Sequence, residues 1–269
     1  MKRAFCLIVL LLAALAFLLM PFISYGQHDL RGLGIANLNA QQAASPVVKI
    51  TNGIVYYLNF DEASSPWRSV VNNYAFNHGG SGIVSVAGKI TNGVFGAASG
   101  DWLACNTNKF STTNLTWSSW IFVTNAASTG RAWSLYDGTE ANTVIAVDLT
   151  SGGVLRFRLL DVSGSMVVGA SVTRGDKFTN AWHFVTVVYD SATLTAYLYT
   201  NGVLANSSVL SIAKTNIATA ESVYLSNLGA SVFQGKMDGS GYWATNLTAT
   251  QILNMYNSGN GIDWTFNNQ

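Results

Sequence analysis

Cysteine is nearly missing from this sequence: Cys6 and Cys105 are the only two, and Cys6 lies in an apolar leader. A mature chain with one thiol forms no internal disulfide, so its fold must rest on packing or on a metal. Cys105 reads as a small buried hydrophobe. Charge is scarce too, with 10% of residues charged and 14 basic side chains against 13 acidic ones. So even a balance excludes an electrostatic footprint for nucleic acid or for an anionic membrane surface. Glutamate occurs three times, at Glu62, Glu140 and Glu221, and histidine three times, at His28, His78 and His183. Asn, Thr, Ser and Gly are abundant instead, set between short runs of β-branched and aromatic residues. This is the composition of a turn-rich extracellular β protein, and a disordered chain would be poorer in aromatics.

Lys2 and Arg3 precede an apolar run from Ala4 to Met20, and Ser24 and Gly26 put small residues at a cleavage site. The pattern predicts a signal peptide over residues 1–26, with the mature chain starting at Gln27. An uncleaved anchor is the alternative, because the run approaches the ~20 residues that a spanning helix needs. Pro21 and the small residues favour cleavage, and Cys6 stands ahead of the run instead of at its end, against a lipoprotein. No later stretch is apolar enough to span a membrane. The expected location is therefore secreted, extracellular or at the cell surface, with no membrane span after cleavage. Residues 27–46 are polar, aperiodic and rich in Ala, Asn and Gln, which reads as a linker or arm. One domain is expected over residues 47–269, long enough to bury a sizeable core.

Candidate strands are Gly53–Phe60, Gly93–Ala97, Leu115–Thr124, Ala132–Asp137, Thr143–Leu149, Val154–Leu160, Met166–Ser171, His183–Asp190, Thr193–Thr200, Val203–Val209, Ser222–Ser226 and Phe233–Ala244. Their spacing suggests an all-β sandwich or barrel. Both faces of His183–Asp190 are largely apolar, which predicts a central strand. Asn201–Gly202 predicts a two-residue hairpin turn between Tyr197 and Leu204. Lys49–Gly53 and Lys89–Gly93 repeat Lys-Ile-Thr-Asn-Gly, read as two Asn-Gly turns. Near the C-terminus, Thr248 and Gln251 form a capping box, and Leu247 and Ile252 a hydrophobic staple. They predict a helix over about Ala249–Ser258, ended by Gly259 or Gly261, with Ile252, Leu253 and Tyr256 facing the sandwich.

An ordered series runs through the domain: Leu58-Asn-Phe-Asp-Glu62, Gly93-Val-Phe-Gly96, Phe110-Ser111, Leu115-Thr-Trp-Ser-Ser-Trp-Ile121, Trp182-His-Phe-Val-Thr-Val-Val-Tyr-Asp190, Leu198-Tyr-Thr-Asn-Gly-Val-Leu204 and Gly235-Lys-Met-Asp238. Together with the Leu247–Tyr256 helix, it resembles the laminin G-like group of the concanavalin A-like lectin/glucanase superfamily. The resemblance implies a jelly-roll sandwich of two antiparallel sheets that binds a glycan, a surface polysaccharide or other surface proteins. It also implies that the Phe-Asp of the first strand and the Gly-x-x-Asp of the last come together. Asp61 and Asp238 are thus the pair expected to hold calcium (Ca2+), a cation that wants carboxylate and carbonyl oxygens. The plainer alternative makes each a hydrogen-bonded structural acid.

Catalytic machinery is not expected. The related glucanases carry Glu-x-Asp-x-Glu on one strand, and a retaining mechanism needs two carboxyls about 5–5.5 Å apart; none of the three glutamates has an acid two residues away. An atypical glycosidase would need Asp61, Glu62 and Asp238 gathered in one groove. No Gly-x-Ser-x-Gly elbow occurs, and His183 fits a structural histidine at a strand start. Sugar binding usually relies on exposed aromatic rings. Trp67, beside Pro66 and Arg68, and Trp102, after Asp101, are the candidates for ligand contact, with packing as the alternative for each. Trp120 and Trp182 read as packed. Asn114, Asn206 and Asn246 head glycosylation sequons of a kind that an Asn- and Thr-rich chain produces by chance.

Overall fold

The computed structural model describes residues 50–80, 82–96, 100–107, 110, 113–137, 139–161, 163–179, 181–210, 220–226 and 233–264. The expected signal peptide and the arm over residues 27–46 lie outside the described residues. The strands in chain order begin with β1 (Ile54–Leu58), β2 (Trp67–Arg68), β3 (Ala75–Gly79), β4 (Val84–Ala87), β5 (Asn92–Gly96), β6 (Trp102–Thr107), β7 (Asn114–Val123) and β8 (Gly130–Asp137). They continue with β9 (Thr139–Leu149), β10 (Val154–Leu160), β11 (Met166–Thr173), β12 (His183–Asp190), β13 (Thr195–Thr200), β14 (Val203–Val209), β15 (Ala220–Ser226) and β16 (Gly235–Trp243). A helix α1 (Ala249–Tyr256) and a 3-10 turn (Asn257–Gly259) follow. No described helix is long and apolar enough to cross a membrane.

The strands pair antiparallel into two eight-stranded sheets, the sandwich that the sequence predicts. The front sheet runs β14-β13-β12-β7-β16-β5-β4, with β1 also on β16, and the back sheet runs β11-β10-β9-β8-β15-β6-β3-β2. Leu155, Phe157 and Leu159 of β10 point inward on alternate residues, the two-residue period that fills a sandwich core. Trp117 of β7 and Trp133 of β8 stack across the two sheets, with centroids 5.3 Å apart and planes at 9°. Cys105 is buried.

A second apolar layer lies on the other face of the front sheet. Tyr57, Trp120, Phe184, Val188, Tyr199 and Trp243 are covered there by Ile50, Leu247, Ile252, Met255, Ile262 and Trp264. This layer explains why β12 is apolar on both faces. It lies between β13 and β7, and all of it is buried except Asp190. Trp120 packs as expected, but in this outer layer and not between the sheets.

The helix has its capping box, with Gln251 N–H donating to Thr248 Oγ1 at 3.2 Å and Thr248 N–H to Gln251 Oε1 at 2.9 Å. Its end differs from expectation, because the left-handed cap is Asn257 (φ 49°) and neither glycine serves. Leu253 is 50% exposed, and Met255 is buried in its place. Met255 follows Ile252 by three positions, close to one helical turn, so that pair shares the buried stripe and Leu253 falls off it. The β13–β14 hairpin turns at Asn201 (φ 53°) and Gly202 (φ 78°) as predicted. The second Lys-Ile-Thr-Asn-Gly copy does not turn at its Asn-Gly, since Asn92 and Gly93 already pair with Ala87 and Val86 in β5. Four strands, β2, β3, β4 and β6, lie where no strand signal is legible in the sequence. The sequon amides of Asn114, Asn206 and Asn246 all make internal hydrogen bonds.

If the outer layer is held as described, Ile252→Ala costs about 2–5 kcal/mol, as large-to-small changes in cores do. Leu253→Ala changes stability by less than about 0.5 kcal/mol. Denaturant unfolding of the two variants checks the assignment of the helix face.

Candidate functional site

The sequence-predicted acids come together around one turn. A bulge in β16 after Asp238, where Gly239 adopts φ 53°, shifts its register against β7. Asp238 is 0% exposed, and its Oδ2 accepts the backbone N–H groups of Lys89 and Ile90 at 2.7 Å each. From the solvent side Asp61 Oδ1 accepts the Thr91 hydroxyl and the Asn92 N–H, the latter at 3.2 Å. The β4–β5 turn is therefore clamped by two carboxylates from distant parts of the chain. Asp238 Oδ1 is buried with no hydrogen-bond partner among the described residues. Burial, reinforced by the nearby Asp61 charge and opposed by the backbone donors, raises Asp238 to about 6. Tyr57 rises well above its usual value through burial, then through the Asp238 and Asp263 charges.

This geometry suits a turn clamp better than a calcium cage. Calcium takes 6–8 oxygens, whereas no group of three or more His, Cys, Asp or Glu among the described residues converges as a metal site would require.

The two tryptophans part company. Trp67 is only 1% exposed; its Nε1 donates to Glu62 O at 3.1 Å and its ring meets His78 edge-on. It is a core residue, and the expectation of a surface ring at this position is corrected. The loop that carries it is folded inward by β2–β3 pairing, which the Pro66-Trp-Arg68 context did not signal. Trp102 is half-buried on the outer face of the back sheet, against Ala104 and Tyr136. Its indole lies so close over Gly79 that a Cβ there would sit 2.1 Å from the ring.

Sequence reasoning missed the rest of this face. Antiparallel partners point to the same side of a sheet, and the pairings align Ala104, Ser134, Ala146 and Arg158 in one row through β15. Arg131, Asp148 and Arg156 form the adjoining row. Arg156 grips Asp148 with two hydrogen bonds, Nε to Oδ1 at 2.8 Å and Nη2 to Oδ2 at 3.2 Å, and Arg158 pairs with Oδ2 as well. Arg131 Nη1 donates to Tyr136 Oη at 3.1 Å and to Thr143 Oγ1 at 3.2 Å, which runs its side chain along β8 past Ser134. The alternation in Val154–Leu160 already placed Arg156 and Arg158 on the side opposite Leu155 and Phe157. That signal was available in the sequence.

A laminin G family profile, of the concanavalin A-like lectin/glucanases superfamily, matches residues 96–253. The chain belongs to this family. Among solved structures, this laminin G-type chain is similar to the binding domain of Paraclostridial Mosquitocidal Protein 1, with TM-score 0.61 and 16% identity over 77% of this chain and 52% of that one. It is also similar to the botulinum neurotoxin serotype D binding domain (TM-score 0.58, 19% identity, 76% and 51% covered). A third is the serotype D ligand binding domain in complex with N-acetylneuraminic acid (TM-score 0.57, 19% identity, 76% and 50% covered). The chain spans about half the length of these structures, and at such identities the likeness is one of fold. No curated protein matches the chain.

Against the glucanase branch of the superfamily, the acids of this laminin G-type fold are dispersed by task. Glu62 Oε1 accepts the Arg68 N–H at 2.8 Å, Asp61 faces the turn from solvent, and Asp238 lies beneath it. His183 is 3% exposed at the start of β12, packed edge-on against Phe178, and its Nε2 is 3.7 Å from Asp176 Oδ2. Burial, then the Arg174 charge, lowers its pKa and favours neutral imidazole. It is placed as a structural histidine.

An acid whose pKa is raised on folding from 3.8 to about 6 contributes stability fully below pH 3.8, and that contribution is lost as pH rises through 6. The shift corresponds to about 3 kcal/mol at neutral pH. Asp238→Asn keeps one oxygen for the turn and carries no charge. It is expected to equal or exceed the parent in stability at pH 7, the difference shrinking as pH falls toward 4. Asp238→Ala strands two N–H groups and is expected to cost about 2–4 kcal/mol. Urea unfolding of the three proteins between pH 4 and 7 decides, and an Asn variant as damaged as the Ala variant would refute the raised pKa.

Proposed function

We propose that this chain is a non-catalytic, extracellular recognition module that binds a carbohydrate or surface polymer on the outer face of its back sheet. One observation carries the reading. The outer face of the front sheet's central strands is closed by its own apolar layer, while the outer face of the back sheet carries the half-buried Trp102 on Gly79, against Ala104 and Tyr136. A flat ring stacks on the apolar face of a sugar, and neighbouring polar side chains fix the hydroxyls. The fold likeness to toxin binding domains, one of them holding N-acetylneuraminic acid, supports the same reading. Trp67 has no part in it, because a ring 1% exposed cannot stack on a ligand.

The reading does not require calcium, since the expected ligands Asp61 and Asp238 accept hydrogen bonds from the Lys89–Asn92 turn. The melting temperature is expected to be the same in calcium and in chelator. A calcium-dependent rise that disappears in Asp61→Ala would return the metal to the site.

A glycan array probed with the full-length protein tests the main reading. Trp102→Ala is expected to weaken any carbohydrate bound by about tenfold, the worth of one good aromatic contact. Gly79→Ala, which pushes the indole off its seat, is expected to do the same without touching the ring. A protein that binds nothing on a broad array, or binds with Trp102 replaced at no loss, would sink it.

A second reading, adhesion to another protein, is favoured by β14. This edge strand is exposed along its whole length, with Val203, Leu204 and Val209 at 64%, 48% and 70% and no charged residue to guard it. Unguarded edges invite strand addition. If the strand docks a partner, Val203→Lys with Val209→Lys abolishes surface adhesion and leaves glycan binding intact.

A further inference from the structure

The sequence writes Lys-Ile-Thr-Asn-Gly twice, at 49–53 and 89–93, and the fold treats the two Asn-Gly pairs differently. In such a pair the glycine has no side chain to crowd its backbone nitrogen, and that nitrogen can close a five-membered ring on the asparagine amide carbon. The ring closes only where the fold leaves the asparagine side chain free to swing and the glycine N–H unengaged. The chain holds four pairs: Asn52–Gly53, Asn92–Gly93, Asn201–Gly202 and Asn260–Gly261.

Three of them are held. Asn92 donates its N–H to Asp61 Oδ1 at 3.2 Å and its Nδ2 to Asp61 O at 3.4 Å. Gly93 is buried in β5, where a Cβ would sit 2.6 Å from Met237 O. Asn201 Oδ1 accepts the Phe184 N–H at 3.0 Å, its own N–H donates to Phe184 O at 2.7 Å, and Gly202 is buried against Leu253 and Tyr256. The Gly261 N–H, the group that would have to attack, donates to Tyr256 O at 3.2 Å. Asn52–Gly53 differs. Both residues are exposed in the turn before β1, and neither the Asn52 side chain nor the Gly53 N–H has a hydrogen-bond partner among the described residues. Gly53 is held through its carbonyl, which accepts the Ala244 N–H at 2.7 Å.

We infer that Asn52–Gly53 is a self-modification site, at which the folded protein converts Asn52 to isoaspartate or aspartate while the matching pair Asn92–Gly93 is spared. The Gly53 nitrogen bonds to Asn52 Cγ, the Cγ–Nδ2 bond breaks, and the amide leaves as ammonia with the proton that Gly53 gives up. Water then opens the cyclic imide. Attack at Cγ restores the ordinary backbone with an aspartate, and attack at the backbone carbonyl leaves isoaspartate, whose chain runs through Cβ and Cγ. No electrons change hands, and water is the one co-reactant. Either product adds a carboxylate. Isoaspartate also lengthens the backbone by one atom between two anchors, the Ile50 carbonyl on Trp243 Nε1 at 2.8 Å and the Gly53 carbonyl on Ala244 N–H. The outer layer over the front sheet is thus expected to loosen where the chain enters it.

Trypsin cleaves after Lys49 and Lys89, releasing residues 50–68 and 90–109 as peptides that both begin Ile-Thr-Asn-Gly and report the two sites side by side. The folded protein is incubated in mildly alkaline buffer, and mass spectrometry with fragmentation follows the amide-to-acid mass gain at each Asn-Gly. The first peptide is expected to gain it at least about tenfold faster than the second, because Asn92 reacts only through local opening of its clamped turn. In urea, where both copies are unfolded, the two rates converge. Asn52→Gln, which would need a larger ring, abolishes the gain at that position and leaves the second peptide unchanged. Asp61→Ala, which takes the carboxylate from the Asn92 turn, speeds the second peptide toward the first. Equal rates in the folded protein, or a first peptide that changes only in urea, overturn the inference. A preference that persists undiminished in urea belongs to the flanking sequence and overturns it too.

Discussion

A strand buried on both faces has no surface to offer a ligand, and the central strands of the front sheet, β7, β12 and β16, are such strands. Trp117 and Val187 fill the space between the sheets, while Trp120, Phe184 and Val188 lie under the layer formed by Ile50, helix α1 and Trp264. Solvent-facing side chains are thereby left to the loops, the edges and the back sheet. The cap helix has a functional consequence without touching a ligand. By closing one face it leaves the half-buried Trp102 and the partly exposed Arg156 and Arg158 to the outer face of the other sheet.

Two carboxylates settle the geometry at the other margin. The bulge at Asp238 breaks the register of β16, so that its first half pairs with β5 and its second with β1. The same bulge buries the Asp238 side chain under the β4–β5 turn, where two amides bind one oxygen and the other oxygen is unmatched. Burying a charge on these terms is costly, and the raised pKa of about 6 is that cost expressed as a proton affinity. Replacing the two backbone donors would need another turn. The acid is therefore a compromise between closing the sheet margin and keeping a charge out of the core.

The sequence carried the sandwich, the centrality of His183–Asp190, the hairpin at Asn201–Gly202 and the capped helix, because in each the local signal and the tertiary demand agree. It carried β2, β3, β4 and β6 poorly. Those strands are short or polar, and partners far along the chain hold them, as β6 is held by β15 and β3. The turn at Lys89–Asn92 was misread because Asp61 and Asp238 place it ahead of the Asn-Gly pair, and no local propensity encodes a clamp from 30 and 149 residues away. Asp61 and Asp238 were legible as a converging pair, though their shared task was not. Trp67 and Trp102 looked alike as loop tryptophans. Pairing of β2 with β3 draws one ring into the core, and Gly79 gives the other a seat on the face.

The arginine row escaped notice for a different reason. Nothing in a chain whose charge totals nearly cancel singles it out, and the rows that assemble it run across the strands, at right angles to the sequence. Arg131, Asp148 and Arg158 become neighbours only through two strand registers, each fixed by the inward-facing residues on the opposite side of the same strands. The core pattern Leu155, Phe157, Leu159 against Ile145, Val147, Leu149 therefore determines which guanidinium meets which carboxylate. A one-residue slip would bury the arginines in the core. Core packing and surface chemistry are in this sense one constraint: the residues that make the sandwich stable are also those that set the spacing of the charges on its outer face.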